Sequence, residues 1–473
     1  MMKTSVVVTA VILLNSFFCK AQNLQFTLKE CIETALKNNI GIRQGEVLKN
    51  NAGLVYSQSK NNRLPIVQST YSYGINNGRS IDPFTNGYIN QQLKSSNMDV
   101  NASVPLFSGF QLKNTIRQNE LAFAGATMEW QQRKDELTLQ VILAYLQVLS
   151  SQDAITLAKQ QAIVTKEQVN RIEIVSAEGA TSPSNASDLK GQYAGDKLAL
   201  VNAESNFQSA VLALTQLMNV AYTDKIVFDR QGMLETVQQY DAAPDEIYAA
   251  AIEKLAAVKA TDLRVKSNAM AVKAAVGNSL PAVSLFGGAS TNYSSAAMLN
   301  TLTGSKEVST GDYVTHNGDK LNVISQQNNF SSKPISYSNQ FNNNISTGFG
   351  VSVRIPVFNA FRNRTTVRLA KNDEQSSRLV AENIKLQLRQ SIDQAYINIT
   401  ATYKRYQSLL EQRDAFEESL RITAERFESG VINAPEYLIA KNNFERTSAN
   451  IITARYEYLL RKKILDFYMG RLN

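Results

Sequence analysis

The chain states its architecture twice, at a fixed distance. Val104-Pro105-Leu106-Phe107 precedes one long helical stretch, and Ile355-Pro356-Val357-Phe358 precedes another. Ala144-Tyr145-Leu146 and Ala395-Tyr396-Ile397 lie at matching depths inside them. A single offset of 251 residues relates these pairs and also takes Gly179 to Gly430, Phe207 to Tyr458 and Met218 to Met469. An ungapped correspondence of that length does not arise by chance, and it constrains the architecture before any local reading does. The repeated unit is about half of the chain, far longer than the repeat of an ordinary solenoid. The halves are residues 22–242 and 243–473.

Each half reads in the order helix, strand, strand, long helix, turn, helix. Residues 27–62 carry two helical patterns, with Leu28, Cys31, Ile32, Ala35 and Leu36 on one face of the first. The equivalent stretch, 243–278, lies at an offset of 216 and opens after Pro244-Asp245-Glu246. Leu64-Pro65 and Leu280-Pro281 then close the helices, since proline marks an element boundary. Strands are predicted at about 66–74, 96–106, 282–293 and 345–356.

In the second strand Met98, Val100, Ala102 and Val104 alternate with Asn97, Asp99, Asn101 and Ser103. In the fourth, Phe349, Val351, Val353 and Ile355 alternate with Gly348, Gly350, Ser352 and Arg354. Period-two alternation puts one set on an apolar face and the other on a polar face. A soluble sheet with one wet face would show the same pattern. So would a membrane barrel with apolar-out, polar-in strands, and each run is about the 9–11 residues a tilted strand needs to cross a bilayer. Tyr71, Tyr73 and Tyr293 fit interfacial positions of such a barrel. The strands are joined by polar connections, 75–95 and the longer 294–344, which holds the only histidine, His316.

Long helices are predicted at about 108–177 and 359–429. In the second, Ile392, Tyr396, Ile399, Tyr403, Tyr406 and Leu410 recur in alternating steps of four and three, a coiled-coil seam. Some 70 residues at 1.5 Å each make a rod of about 100 Å. The rods stop at Gly179 with Pro183 and at Gly430 with Pro435, a glycine-then-proline helix stop and turn. Return helices follow at about 183–219 and 435–470.

Composition narrows the class. The chain is 44% hydrophobic and 19% charged, unlike a disordered protein. Its formal charge of +8 comes without a basic block and interleaved aromatics, so no nucleic-acid partner is expected. Residues 1–21 read as a signal peptide, with Lys3, an apolar core from Val6 to Leu14, and cleavage after Ala21. Cys19 leaves open an acylated lipoprotein, although Phe18 stands where a lipobox has a small residue. Cys31 would then be the one cysteine of the mature chain and could form no internal disulfide. No later segment has the roughly 18 consecutive apolar residues of a membrane-spanning helix. One histidine rules out an HExxH zinc site, and no glycine-rich phosphate loop follows a strand, so neither catalysis, a resident metal nor a cofactor is expected.

Four strands per chain cannot stand alone in lipid, because the open edges would leave backbone groups unpaired. Barrels begin at about 8 strands, so copies must close one together: two chains would supply eight strands and three would supply twelve. An exported coiled-coil scaffold or adhesin without a channel is the competing reading. It accounts for the rods but not for four alternating strands at their bases.

The order of elements, the two halves, the junctions "VPLFSGF" and "IPVFNAF", and "ARYEYLL" (Ala454 to Leu460) together resemble the TolC family of outer-membrane efflux proteins. The resemblance covers nearly the whole mature chain. It implies a mainly α protein with a membrane β-barrel. Long antiparallel coiled-coil hairpins would form an α-barrel, and four strands per chain would share a twelve-stranded barrel in a homotrimer. It also implies a Gram-negative outer membrane with its lipid, a long periplasmic extension, a periplasmic adaptor protein and a proton-driven or ATP-driven inner-membrane pump. In the family a tyrosine, an arginine and two aspartates of the second hairpin lock the periplasmic aperture. Counted from the tip glycine, the tyrosine site is Phe427, the arginine site Ile432, and the aspartate sites Glu436 and Ile439. Only Glu436 keeps the chemistry, so the hydrogen-bonded lock is expected to be absent or rebuilt. Arg354 falls in the polar set of its strand and is expected to face the lumen.

Overall fold

The computed structural model describes residues 25–82, 85–179, 181–223, 226–230 and 236–471. The predicted signal peptide, its cleavage after Ala21 and the question of Cys19 lie outside the described residues. The chain divides into two compact units. One comprises residues up to 54, 120–267 and 374 onward, and the other 55–119 and 268–373. Each unit draws on both halves of the repeat, so duplication and compaction partition the chain differently.

The first part of the chain runs β1 (Gln25–Phe26), α1 (Leu28–Asn38), α2 (Ile40–Asn61), β2 (Ile66–Asn76), β3 (Arg79–Ile81), β4 (Tyr88–Asn90), β5 (Leu93–Ser108), α3 (Gln111–Ala177) and α4 (Pro183–Met218). The second part runs β6 (Val227–Phe228), α5 (Pro244–Lys254), α6 (Ala256–Gly277), β7 (Ala282–Ser294), β8 (Met298–His316), β9 (Asp319–Pro334), α7 (Tyr337–Asn343), β10 (Ser346–Arg354), α8 (Arg362–Glu428) and α9 (Ala434–Tyr468).

The helical unit is organised by local signals and then by one core. Thr27 caps α1 in a capping box: its hydroxyl accepts from the Glu30 amide at 3.2 Å, while the Glu30 carboxylate accepts from the Thr27 amide at 2.8 Å. This starts the helix in the register that buries Cys31 and Ala35 and sets Leu28, Ile32 and Leu36 against the same core. From the predicted seam of α8, Ile392 and Ile399 are fully buried there with Tyr396 and Tyr403 beside them, whereas Tyr406 and Leu410 are half-buried. Repeat-related Met218 and Met469 enter the same cluster. One stretch of α3 is long and apolar enough to pass for a membrane-crossing helix. Val141, Ile142, Tyr145, Leu146, Val148 and Leu149 of α3 are buried in the core. The Tyr145 hydroxyl donates to the Asp229 carbonyl at 2.5 Å, where β1 and β6 pair in parallel.

The other unit holds a four-stranded antiparallel sheet in the order β10-β7-β5-β2. Its register is the informative quantity. Met98, Val100, Ala102 and Val104 lie opposite Thr291, Ala289, Gly287 and Leu285 of β7. On β7's other side, Phe349, Val351 and Val353 lie opposite Gly287, Leu285 and Val283. Directly paired residues point to the same side, so the two apolar sets share one face. Asn97, Asp99, Asn101, Ser103, Gly350, Ser352 and Arg354 share the other. Helix α7 covers one end of that face, where Tyr337 meets Tyr293, Tyr71 and Ser96; toward β10 the face is open, with Phe349 90% exposed and Val351 60%.

The connection 294–344, read above as a polar loop, is instead mostly ordered. β8 and β9 form a long antiparallel ribbon from Met298–Pro334 to His316–Asp319. Irregularities between Leu302 and Gly304 and between Ser309 and Tyr313 break the alternation that would reveal it in sequence. Helix α7 then returns to the end of β7, where Tyr337 lies 4.8 Å from Tyr293 and 4.4 Å from Phe341, centroid to centroid. Buried Gln340 anchors the turn, accepting from the Ser294 amide at 2.9 Å and donating to the Ser294 carbonyl at 3.0 Å.

Candidate functional site

Both hairpin tips are built by the same backbone device. Gly179 and Gly430 adopt φ of +76° and +71°, left-handed values that a Cβ would strain. At the second tip the Gly430 amide donates to the Phe427 carbonyl at 3.0 Å and the Val431 amide to the Arg426 carbonyl at 2.9 Å. The return helices start on capped residues with proline in the first turn. The Ser182 hydroxyl accepts from the Ser184 amide ahead of α4, and Asn433 Oδ1 accepts from the Glu436 amide at 3.2 Å ahead of α9.

Just inside the tips, the four helices meet in a small apolar cluster. Val169 and Ile172 of α3, Ala186 and Leu189 of α4, and Ile432 and Tyr437 of the second hairpin are buried together, with Leu420, Ala424 and Phe427 of α8 against them. Phe427 stacks on Tyr437 with centroids 5.1 Å apart and planes 9° from parallel. Burial, aided by the carboxylates of Glu445, Glu428 and Asp196, pushes the Tyr437 hydroxyl up to about 12. The hairpins are also tied by polar contacts. The Ala434 amide donates to Asn185 Oδ1 at 3.2 Å, and Arg171 reaches Glu428 at 2.7 Å. That ion pair is largely exposed and adds little.

The four sequence-derived aperture positions therefore separate into two kinds. Phe427 and Ile432 come together inside the hairpin packing. Glu436 and Ile439 are exposed, Ile439 by 64%, as is Val431 at the tip. Arg354 ends β10 on the polar face, opposite Ala282 and exposed.

Sequence reasoning missed a second layer deeper in the bundle. Lys441 of α9 buries its ammonium against Asp196 of α4, with Nζ 3.2 Å from Oδ2, and also bonds Glu445. The Thr165 hydroxyl of α3 bonds the same Asp196 carboxylate, and Gln192 Nε2 donates to Oδ1 at 2.7 Å. The side chains of Lys441 and Asp196 are only 3% and 7% exposed. A Lys and Glu four apart on a helix read as an ordinary solvated pair, and nothing in their spacing announces burial.

This arrangement, coiled hairpins with tight tips and a sheet with a largely open apolar face, matches known proteins over most of its length. The family described as "Outer membrane efflux protein" matches residues 31–220 and 247–471, one segment in each half. The outer membrane efflux protein BepC of Brucella suis biovar 1 (strain 1330) is 22% identical over 98% of this chain and 90% of its own length. Among solved structures, the CmeC outer membrane channel of Campylobacter jejuni is 14% identical. It superposes with a TM-score of 0.74 over 94% of this chain and 85% of its own. The MtrE outer membrane channel of Neisseria gonorrhoeae, solved in its open state, is 17% identical, with a TM-score of 0.70 over 94% and 88%. With both halves matched in order, the chain belongs to the outer membrane efflux protein family, the TolC-like channels of the outer membrane.

Proposed function

We propose that three copies of this chain form a passive, non-enzymatic exit channel, with a shared twelve-stranded barrel in the outer membrane and a periplasmic tunnel of helical hairpins. An inner-membrane pump, proton-driven or ATP-driven, and a periplasmic adaptor would deliver the substrate. The observation that carries this reading is the sheet: an apolar face open around β10, and two edges, β10 and β2, that pair with no further strand among the described residues. Lipid satisfies the face. Only more strands satisfy the edges, since unpaired backbone groups are not tolerated in hydrocarbon. The four strands alternate in direction, so β10 of one copy meets β2 of the next antiparallel, and any number of copies closes with an even strand count. The trimer, rather than a dimer, rests on the family resemblance. Two similar halves per protomer, 22–242 and 243–473, would then give the tunnel six near-equivalent hairpins.

In that tunnel the polar face of the sheet, with Arg354 and Asp99, lines the lumen. The tips at Gly179 and Gly430 lie at the periplasmic end, and Glu436, Ile439 and Val431 project there. Three copies of Glu436 would form a ring of like charge that attracts cations. The test is outer-membrane fractionation with heat-modifiable migration, followed by planar-bilayer recording of wild type and Glu436→Ala. Discrete channels are expected, with cation preference reduced in the variant. A detergent-free soluble monomer without conductance would instead support the scaffold reading. Identical selectivity in the two proteins would remove Glu436 from the aperture.

A further inference from the structure

The strand-to-helix junctions of the two halves are built alike. In β5, Val104 lies opposite Leu285 and Phe107 opposite Val283, with Leu106 as the extra residue between them. The bulge therefore returns Phe107 to the apolar face that Leu285 and Val283 share with β10. Phe110 sets its ring edge-on to Phe107, with centroids 5.2 Å apart. An offset of 251 residues carries the arrangement to Phe358 and Phe361, edge-on at 5.5 Å. Phe110 and Phe361 take left-handed φ of +63° and +58°, values that a bulky side chain rarely adopts. Their side chains nevertheless stay 56% and 62% exposed. Such a backbone keeps phenylalanine on the outside, where only an apolar phase beyond the chain can bury it.

Cations follow at once. The Phe110 and Phe361 carbonyls accept the first helical bonds of α3 and α8, from the Asn114 and Thr365 amides, each at 3.0 Å. Three and seven residues beyond these aromatics stand Lys113 and Arg117 in α3, and Arg364 and Arg368 in α8, all exposed. That spacing puts each aromatic and its two cations on one face of the helix. The placement is unfavourable within the chain. Like charges four apart repel, a helix N-terminus disfavours positive charge, and neither helix has an acidic residue in its first turn. Among the described residues the first ion pair of α8 is Arg378 with Glu374, beyond both arginines. An anion from outside the chain would relieve these costs in both halves.

The depth fits one class of anion. These junctions lie where the sheet gives way to the rods, so they stand at the periplasmic leaflet. Lys113 and Arg364 lie about 5 Å along the helix from the aromatics, and Arg117 and Arg368 about 11 Å. The headgroup layer beyond the hydrocarbon is about 5–8 Å thick, within reach of long side chains that extend back toward the membrane.

We propose that the two junctions bind the phosphate of anionic phospholipid in the periplasmic leaflet. Phe110 and Phe361 meet the acyl chains. Lys113 with Arg117, and Arg364 with Arg368, hold the headgroup. A guanidinium meets phosphate through two parallel bonds, so the α8 junction, with two arginines, is the stronger of the pair. This inference rests on the channel reading above and names a lipid partner for the same barrel.

The experiment uses the full-length assembled protein in neutral detergent, titrated with phosphatidylglycerol and followed by native mass spectrometry and melting temperature. Wild type is expected to retain phosphatidylglycerol and to melt higher with it, and to do neither with phosphatidylcholine. Arg364→Gln with Arg368→Gln is expected to weaken binding about 25-fold, at about fivefold for each cation, and to remove most of the melting shift. Lys306→Gln with Lys333→Gln, the same charge change on the β8–β9 ribbon, is expected to bind as wild type does. If the arginine double variant does not assemble, Arg368→Gln alone is read in its place, with about a fivefold loss expected. Undiminished binding by the arginine variant, or by its substitute, overturns the proposal. So does an equal loss in the ribbon variant, which marks net charge alone. An equal melting shift from inorganic phosphate or from phosphatidylcholine also overturns it, because the site would then not select an anionic lipid. Conductance is recorded on the same preparation. Selective phosphatidylglycerol binding without conductance refutes the exit channel and leaves the lipid site standing, while conductance without lipid selectivity does the reverse.

Discussion

Placing an arginine at Val100 tests the assignment of the two faces of the sheet directly. Val100 lies on the central strand β5, opposite Ser69 on one side and Ala289 on the other. The apolar face of β7 runs from Tyr293 to Val283, so its middle falls at Gly288, which pairs with Asn101. Val100 is therefore one residue, about 3.3 Å along the strand, from the middle of the apolar band. A lipid-facing arginine at that depth costs about 2–4 kcal/mol. That is roughly a thirty- to several-hundredfold loss in the folding equilibrium for each chain. Asp99 is the adjacent residue on the opposite face, beside Ser290 and Thr70. Asp99→Arg is expected to change stability by no more than about 0.5 kcal/mol and to shift ion preference toward anions. Both variants should be refolded into bilayers and compared by denaturant midpoint and heat-modifiable migration. If Asp99→Arg loses as much stability as Val100→Arg, or Val100→Arg loses none, the apolar face does not meet lipid and the barrel argument fails.

Other outcomes follow from single contacts. Gly109 has φ +58°, and a Cβ there would lie 2.3 Å from the Gly277 carbonyl oxygen; Gly109→Ala should therefore cost about 1–3 kcal/mol. Gly191 lies inside α4 with nothing within 4 Å of a built Cβ, so Gly191→Ala should stabilise by about 0.5–1 kcal/mol; denaturant midpoints that rank the two the other way would refute both. Burial, with the charge of Glu30, pushes the Cys31 thiol up to about 12, so a maleimide at pH 8 should label it only after denaturation. The folded state holds the Glu445 proton more tightly than the unfolded state does, because burial raises its pKa above the ordinary 4.5. Its contribution to stability therefore falls as pH rises from the ordinary value through the folded one, and is flat above it. Glu445→Gln should remove that slope from melting temperature against pH, and parallel curves for the two proteins would contradict it.

How far the sequence could be read depended on whether a feature is local. The alternation in 96–106 and in 345–356 is written residue by residue, as are the step pattern of Ile392, Tyr396 and Ile399 and the glycines at 179 and 430. Interrupted patterns were not legible. The β8–β9 ribbon hides behind its two irregularities, and α7 is too short to carry a period. The tip was legible by position but not by role. Counting from Gly430 finds Phe427, Ile432, Glu436 and Ile439, yet it does not separate the buried pair from the exposed pair. That division depends on Tyr437 and Leu189, and Leu189 belongs to a helix of the other half.

By itself, then, the sequence determined the duplication and the order of the long helices and the four alternating strands. Each follows from spacing along the chain. Tertiary structure alone decided two things. The first is that the apolar residues of β5 and β10 share a face, because β7 lies between them and a one-residue slip in either register would turn one set inward. The second is that Lys441 is buried against Asp196, 245 residues away in sequence. A charge is paired or solvated by what surrounds it in space, and nothing in its own segment records which.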